Sequence, residues 1–200
     1  RPDWSRALCA AFSGGDVLAA GGPVRVSGLL APRLRALAIA EYSRFLAHER
    51  STASEAEALA GANFAVRRAA FAPAALPNGL VDNLVFDAVR QAGGRMVLHN
   101  RACVTYVAGP SEHARLSTRF HHGRIYGGLL AEGRPLASRL ALSLLALASP
   151  VVLIARNLRH AGRQLLFSPS TLWWLLLMQC AWGCGEVAGE RDEHTVRPQL

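Results

Sequence analysis

Apolar positions along this chain follow two regimes. Up to about residue 130 they come in short, punctuated stretches, and after Leu136 they run together. In the first regime Asp3 can cap a short helix carrying Trp4, Leu8 and Phe12, which Ser13-Gly14-Gly15 ends. Asp16 to Ala20 reads as a short strand, stopped by Gly21-Gly22-Pro23. Pro32 opens a largely apolar helix predicted to reach about His48. Ser51 to Ala58 is polar and acidic and reads as a loop or helix start. Phe64 to Phe71 is an amphipathic element with Arg67 and Arg68 on its wet side, and Pro73 and Pro77-Asn78-Gly79 mark a connection. Asp82 then precedes Leu84, Val85, Phe86, Val89 and Ala92, whose spacing is helical, and Gly93-Gly94 ends that helix. Met96 to Leu98 and Ala102 to Val107 are strand candidates. Strands alternating with helices predict α/β layers.

The second regime holds two long apolar runs, Leu140 to Ala155 and Leu165 to Ala181. Each is a little shorter than the ~20 residues that span a bilayer. A pair of buried core helices is one reading. The other is a pair of membrane helices, or a hairpin lying partly in the interface. A domain of this size rarely needs two helices apolar all round, which favours the membrane. Arg124, Arg134 and Arg139 precede the first run, and Arg156, Arg159 and Arg163 lie between the two. The bias of arginine towards the cytosolic side therefore gives a tie. A re-entrant hairpin with both basic flanks on the cytosolic side resolves it. The expected organisation is residues 1–130 as one α/β part, 136–186 as two apolar helices and 187–200 as a polar tail.

Charge and cysteine usage narrow the classes. The net charge is +8, and all 22 basic residues are arginines. Such a balance suits anionic lipid, phosphorylated substrates or nucleic acid. The arginines are scattered and lack the aromatic interleaving of a single-strand platform, so nucleic acid is not an expected partner. Arginine with abundant alanine fits GC-rich bacterial coding. Cys9, Cys103, Cys180 and Cys184 form no two-plus-two zinc pattern. Cys180 and Cys184 read as buried thiols of a protein in a reducing compartment. His121 and His122 are adjacent, so on a helix they point different ways, and no metal site is expected of them. The opening Arg1-Pro2-Asp3-Trp4 reads like the middle of a longer protein.

The order of several short segments resembles the second half of a family 2 glycosyltransferase of the GT-A fold. Pro2-Asp3-Trp4 looks like the residues that follow that family's metal-binding Asp-x-Asp. Gly21-Gly22-Pro23-Val24 looks like its central Gly-Gly-Pro-Val. Glu41-Tyr42-Ser43-Arg44-Phe45 matches a common Glu-Tyr stretch, and Gly61-Ala62-Asn63 through Arg67-Arg68 matches its Gly-x-Asn-x-x-x-Arg-Arg. The closing Ala181-Trp182-Gly183-Cys184-Gly185-Glu186 is similar to the end of its membrane-anchored members. The resemblance implies an α/β, partial GT-A (Rossmann-like) domain lacking its nucleotide-binding half, followed by a C-terminal helical membrane hairpin.

The resemblance also implies a site. In that family the aspartate of a Glu-Asp pair opens a helix and takes the proton from the acceptor hydroxyl, and Asp82 occupies that place. Val81 stands where the glutamate is usual, and Leu84 where an acidic residue is frequent. Asp82 also reads simply as a helix N-cap, worth on the order of 1 kcal/mol, and the two roles are compatible. Asn63 is expected near the donor sugar or acceptor, or else as a turn residue bonding its own backbone. Arg67 and Arg68 read as a solvated face. The basic segment from Arg115 to Gly128 is expected at the bilayer surface, with Arg119, His122 and Arg124 near the donor diphosphate or lipid headgroups. The run Ser117-Thr118-Arg119-Phe120-His121 does not match the Gln-x-x-Arg-Trp of polymerising members, which points to single-sugar transfer.

The expected partners are a nucleotide-sugar donor, a lipid or glycan acceptor and the bacterial plasma membrane, with the catalytic part cytosolic. A divalent metal, Mg or Mn, is expected only through an upstream motif absent from this chain, so this stretch alone is expected to be inactive. The rival is a non-catalytic, membrane-bound interaction protein or degenerate transferase subunit.

Overall fold

A computed structural model of the chain describes residues 3–26, 30–47, 53–70, 82–107, 114–161 and 168–191. In chain order its elements are α1 (Asp3–Ala11), β1 (Val17–Gly21), β2 (Val24–Val26), α2 (Pro32–Tyr42), β3 (Ala53–Glu55), β4 (Phe64–Val66), α3 (Asp82–Gln91), β5 (Arg95–His99), β6 (Val104–Tyr106), α4 (Ala114–Ala131), α5 (Leu136–His160) and α6 (Pro169–Arg191). They form two compact units. Arg1–Ser27 with Phe45–Tyr106 make a mixed α/β unit, and Gly28–Arg44 with Val107–Leu200 make a helical one. This partition differs from the expected boundary near residue 130, because α2 and α4 belong to the helical unit.

In the α/β unit four strands lie in the order β3-β5-β1-β4. The central β5–β1 pair is parallel and both outer pairs are antiparallel. Successive side chains of a strand face opposite ways, and β4 shows the consequence. Phe64 and Val66 pack with Leu59, Phe86, Val89 and Met96 on the α3 side, while Ala65 packs with Ala7, Leu8 and Ala102 on the α1 side. Phe64 meets Phe86 edge-on at 5.3 Å between ring centres. Burying each such side chain is worth about 1.5–3 kcal/mol, which fixes α3 on the sheet.

Both ends of α3 follow from sequence. Asp82 puts a carboxylate in the first turn, where the helix dipole favours it. Gly93 stops the helix in the left-handed region (φ 69°), which costs a glycine nothing.

Several local expectations are corrected. β2 and the edge strand β3 were not anticipated; β3 forms because β5 supplies its hydrogen-bond partners in the register Ser54 to Leu98. α2 stops at Tyr42 and passes into one 3-10 turn, Ser43–Phe45, instead of running to His48. Arg67 is not on a solvated face. Its Nε donates to the Val17 carbonyl at 2.8 Å, its terminal nitrogen donates to the Phe12 carbonyl at 2.7 Å, and its guanidinium lies over the Phe12 ring. Arg68 is exposed. Phe71 and the Pro73–Gly79 connection lie outside the described residues.

The helical unit is built around α6. It runs parallel to α4 and antiparallel to α5. The seam with α4 is made of glycines. A β-carbon on Gly123 would lie 2.2 Å from the Trp182 carbonyl oxygen, and one on Gly127 would lie 2.2 Å from that of Glu186. From the other side, β-carbons on Gly185 and Gly189 would lie 2.1 Å and 1.9 Å from the Phe120 and Arg124 carbonyl oxygens. The two backbones therefore touch, as small residues four apart on each helix allow.

α5 has 25 residues and, at 1.5 Å per residue, is about 37 Å long. It is the one helix among the described residues long and apolar enough to cross a membrane. The second apolar run does not pass that test. Its helix starts at Pro169, and it contains Gln179, Glu186 and Glu190, all buried inside the unit. Leu165 to Phe167 fall outside the described residues. Cys180 and Cys184, expected to be buried, are exposed on the opposite side of α6, and Cys9 is exposed as well.

Candidate functional site at the carboxyl edge of the parallel strands

Two parallel strand pairs follow one another, β1 with β5 and then β2 with β6. Between them the ladder breaks. On one side the break is Gly22-Pro23, and on the other it is the turn after β5 that ends at Ala102. Proline has no N–H to give, so a strand pair cannot continue unbroken through it. The break leaves carbonyl groups facing inward, and buried carbonyls need donors.

Val104 N gives one to the Pro23 carbonyl at 3.1 Å, and Asn63 supplies others. Its Nδ2 donates to the Ala102 carbonyl at 2.7 Å and to the Pro23 carbonyl at 3.3 Å. Its Oδ1 accepts from Trp4 Nε1 at 2.9 Å. The side chain is 2% exposed. Three segments far apart in sequence are thus tied by one amide. The polar atoms of Asn63, expected near donor sugar or acceptor, are engaged inside the protein. The glycines follow from the same crowding. A β-carbon on Gly22 would lie 1.9 Å from the Ala102 oxygen, and one on Gly21 would lie 2.6 Å from the Asn63 oxygen. Replacing Asn63 by Ala is expected to destabilise the unit by at least about 1–3 kcal/mol, since buried donors and acceptors lose partners. Urea unfolding followed by Trp fluorescence checks this, and an unchanged midpoint contradicts the clamp.

Asp82 stands beside this clamp. It is half-buried in the first turn of α3. Its carboxyl group occupies the space that a side chain on residue 61 would take: a β-carbon there would lie 1.8 Å from Asp82 Oδ2. The Gly21-Gly22-Pro23 segment, the Gly61-Ala62-Asn63 segment and Asp82 therefore converge at the carboxyl ends of β1 and β5. In open α/β sheets that edge is where ligands bind.

Arg119, His122 and Arg124 lie on α4 in the helical unit. Arg119 is 6% exposed. Its guanidinium stacks on the Trp182 ring at 4.4 Å from the centroid, and it donates to Gln179 Oε1 at 3.4 Å. Burial is the main influence lowering its pKa, with the Glu41 and Glu186 carboxylates acting the other way. Arg119, expected near a donor diphosphate, packs between α4 and α6, with its Nε buried and without a hydrogen-bond partner among the described residues. His122 is exposed, and Arg124 is half-buried between the α6 glycines that abut its backbone. The side chain of Arg115 is outside what the structure describes.

More of the helical unit's interior is polar. Ser43 Oγ donates to Asn157 Oδ1 at 2.8 Å, and Arg139 Nε donates to the Glu190 carbonyl at 2.7 Å. Burial raises the carboxyl pKa of Glu190 and the nearby Glu186 adds to this, while a hydrogen bond with Ser143 acts the other way. Among the described residues, no group of three His, Cys, Asp or Glu could hold a metal ion. Sequence reasoning missed Trp4 and Ala102 as partners of Asn63, and Gly61 as the neighbour of Asp82. The tight Gly21-Gly22-Pro23 spacing was the available signal.

No protein-family model, no curated protein and no solved structure matches this chain.

Proposed function

We propose that this chain is the acceptor-side half of an inverting, membrane-associated glycosyltransferase. Asp82 is its general base. The observation that carries the reading is the placement of one carboxylate at a helix start, on the carboxyl edge of two parallel strands, beside a loop locked by Asn63. The helix dipole favours the ionised carboxylate, and a base must be ionised before it can accept a proton. Asp82 takes the proton of an acceptor hydroxyl. The acceptor oxygen bonds to the anomeric carbon of the sugar, the bond from that carbon to the donor diphosphate breaks, and the nucleotide diphosphate leaves. The donor half, and the ligands of the divalent metal that would steady the leaving diphosphate, are proposed to come from an upstream segment. On α4, His122 and Arg124 keep the proposed contact with phosphate or headgroups, and Arg119 does not. Turnover by the full-length protein carrying Asp82→Asn tests the reading.

The membrane part rests on the polarity of the helical unit. α5 exposes Leu140, Leu144, Leu147 and Val151, and turns Ser143 and Asn157 inward. α6 exposes Leu172, Trp173 and Leu176, and buries Thr171, Gln179, Glu186 and Glu190. Water favours the reverse arrangement, while hydrocarbon favours this one. The stretch from Leu140 to Ala155 has Arg134 and Arg139 before it and Arg156 and Arg159 after it, which suits headgroups at both ends. The proposed location is the bacterial plasma membrane with the α/β unit cytosolic and a lipid-linked or surface glycan as acceptor. The alternative, a non-catalytic membrane-bound partner, draws on Val81 in place of the glutamate and on the structural use of Asn63.

A further inference from the structure

We propose that Gly61 is a positioning residue for Asp82, its missing side chain setting where the carboxylate rests. The inference rests on the reading of Asp82 as the base. Gly61 does not owe its identity to backbone conformation, since the left-handed glycines among the described residues are Gly93 and Gly133. Space is the reason. A β-carbon on residue 61 would lie 1.8 Å from Asp82 Oδ2, 2.6 Å from its Cγ and 3.1 Å from its Oδ1, so its three nearest neighbours all belong to one carboxyl group. Gly21 and Gly22 differ, because their nearest neighbours are the backbone oxygens of Asn63 and Ala102.

Of the two parties, the loop is the one that cannot move. Gly22 N donates to the Asn63 carbonyl at 3.2 Å, and Asn63 N donates to the Ala60 carbonyl at 2.8 Å. The Asn63 amide makes three bonds more, and Leu59 and Ala60 just before the glycine are buried. Asp82 meets position 61 with the far end of a flexible side chain, which gives way at lower cost than a hydrogen-bonded backbone. A methyl group at position 61 therefore shifts the carboxylate and leaves the loop in place. Misplacing a reacting group by about 1 Å costs on the order of 10²-fold in rate.

The test is steady-state kinetics of the full-length protein carrying Gly61→Ala, Asp82→Asn and both. The expected result is a kcat lower by about 100-fold in Gly61→Ala, with the donor KM and the unfolding midpoint unchanged. Adding Gly61→Ala to Asp82→Asn should cost nothing more, since the base being positioned is already gone. A wild-type kcat in Gly61→Ala while Asp82→Asn is inactive overturns the positioning role and leaves the base in place. An active Asp82→Asn overturns the base reading itself. Full additivity of the two losses overturns the coupling. If Gly61→Ala lowers stability, Gly61→Ala with Asp82→Ala should restore it to the level of Asp82→Ala, because the clash is with that carboxyl group; failure to restore it also overturns the proposal.

Discussion

Asp82→Asn in the full-length protein is expected to lower kcat by about 10²–10⁴-fold and to leave donor binding nearly unchanged. A positioned general base contributes a factor of that size, and an amide of the same shape cannot accept the proton. The substitution is mild for the fold. Asn caps a helix about as well as Asp, so the cap itself survives. Nor does Asn add bulk against Gly61, where the carboxyl group already fills the space. On the proposed reading an upstream half holds the diphosphate, so donor binding should persist. A fall in kcat with an unchanged donor KM is the signature of a contact made in the transition state. Stopped turnover with lost donor binding points instead to a structural role.

The second large effect concerns the α4–α6 seam. Gly185→Ala and Gly189→Ala each place a β-carbon about two ångströms from a backbone carbonyl oxygen of α4. A carbonyl in a helix cannot rotate away, so the helices must part. Overpacking costs up to about 3 kcal/mol per site. Alanine returns about 1 kcal/mol through its better helix propensity. A net loss of about 2 kcal/mol per site is expected, the larger of the two terms being steric. Parting the helices also uncovers Arg119, whose stacking on Trp182 and contact with Gln179 depend on the same approach. Gly15→Ala is the control, since a β-carbon there meets nothing within 4 Å. Equal unfolding free energies for Gly15→Ala and Gly189→Ala contradict the seam.

These two features were not equally legible in the sequence. α3 was readable because it depends on signals that act locally. An acid opens it, apolar residues recur at helical spacing, and glycines close it. β1 and β5 were readable for the same reason. β2 and β3 were not: β2 follows directly on Gly22-Pro23, which reads as a stop, and β3 is the polar Ala53-Ser54-Glu55, which exists because β5 completes its hydrogen bonds. The role of Asn63 was also hidden. What it does depends on a ladder break formed by Pro23 and Ala102, which are distant in sequence. The α4–α6 seam consists of missing side chains, and hydrophobic periodicity does not register an absence. Gly123-x-x-x-Gly127 and Gly185-x-x-x-Gly189 were the signal that could have shown it.

The apolar run in α6 misled for a related reason. Counting hydrophobic residues there overlooked Thr171 and Gln179, which share one side of the helix with Glu186 and Glu190 beyond the run. That side is the buried one. The run therefore describes a helix whose exposed face is apolar and whose buried face carries polar groups beside Leu175 and Met178. α5 is apolar over a longer stretch and stays long enough to span.

On the proposed reading Asp82 drives an acceptor oxygen onto the anomeric carbon from the face opposite the leaving diphosphate. The most direct measurement is the anomeric configuration of the product made by the full-length protein in membranes from an isotopically labelled nucleotide sugar, read by NMR. The expected product is a glycoside of inverted configuration, formed by the wild type and absent from Asp82→Asn. A product of retained configuration, or transfer by Asp82→Asn at the wild-type rate, would contradict it.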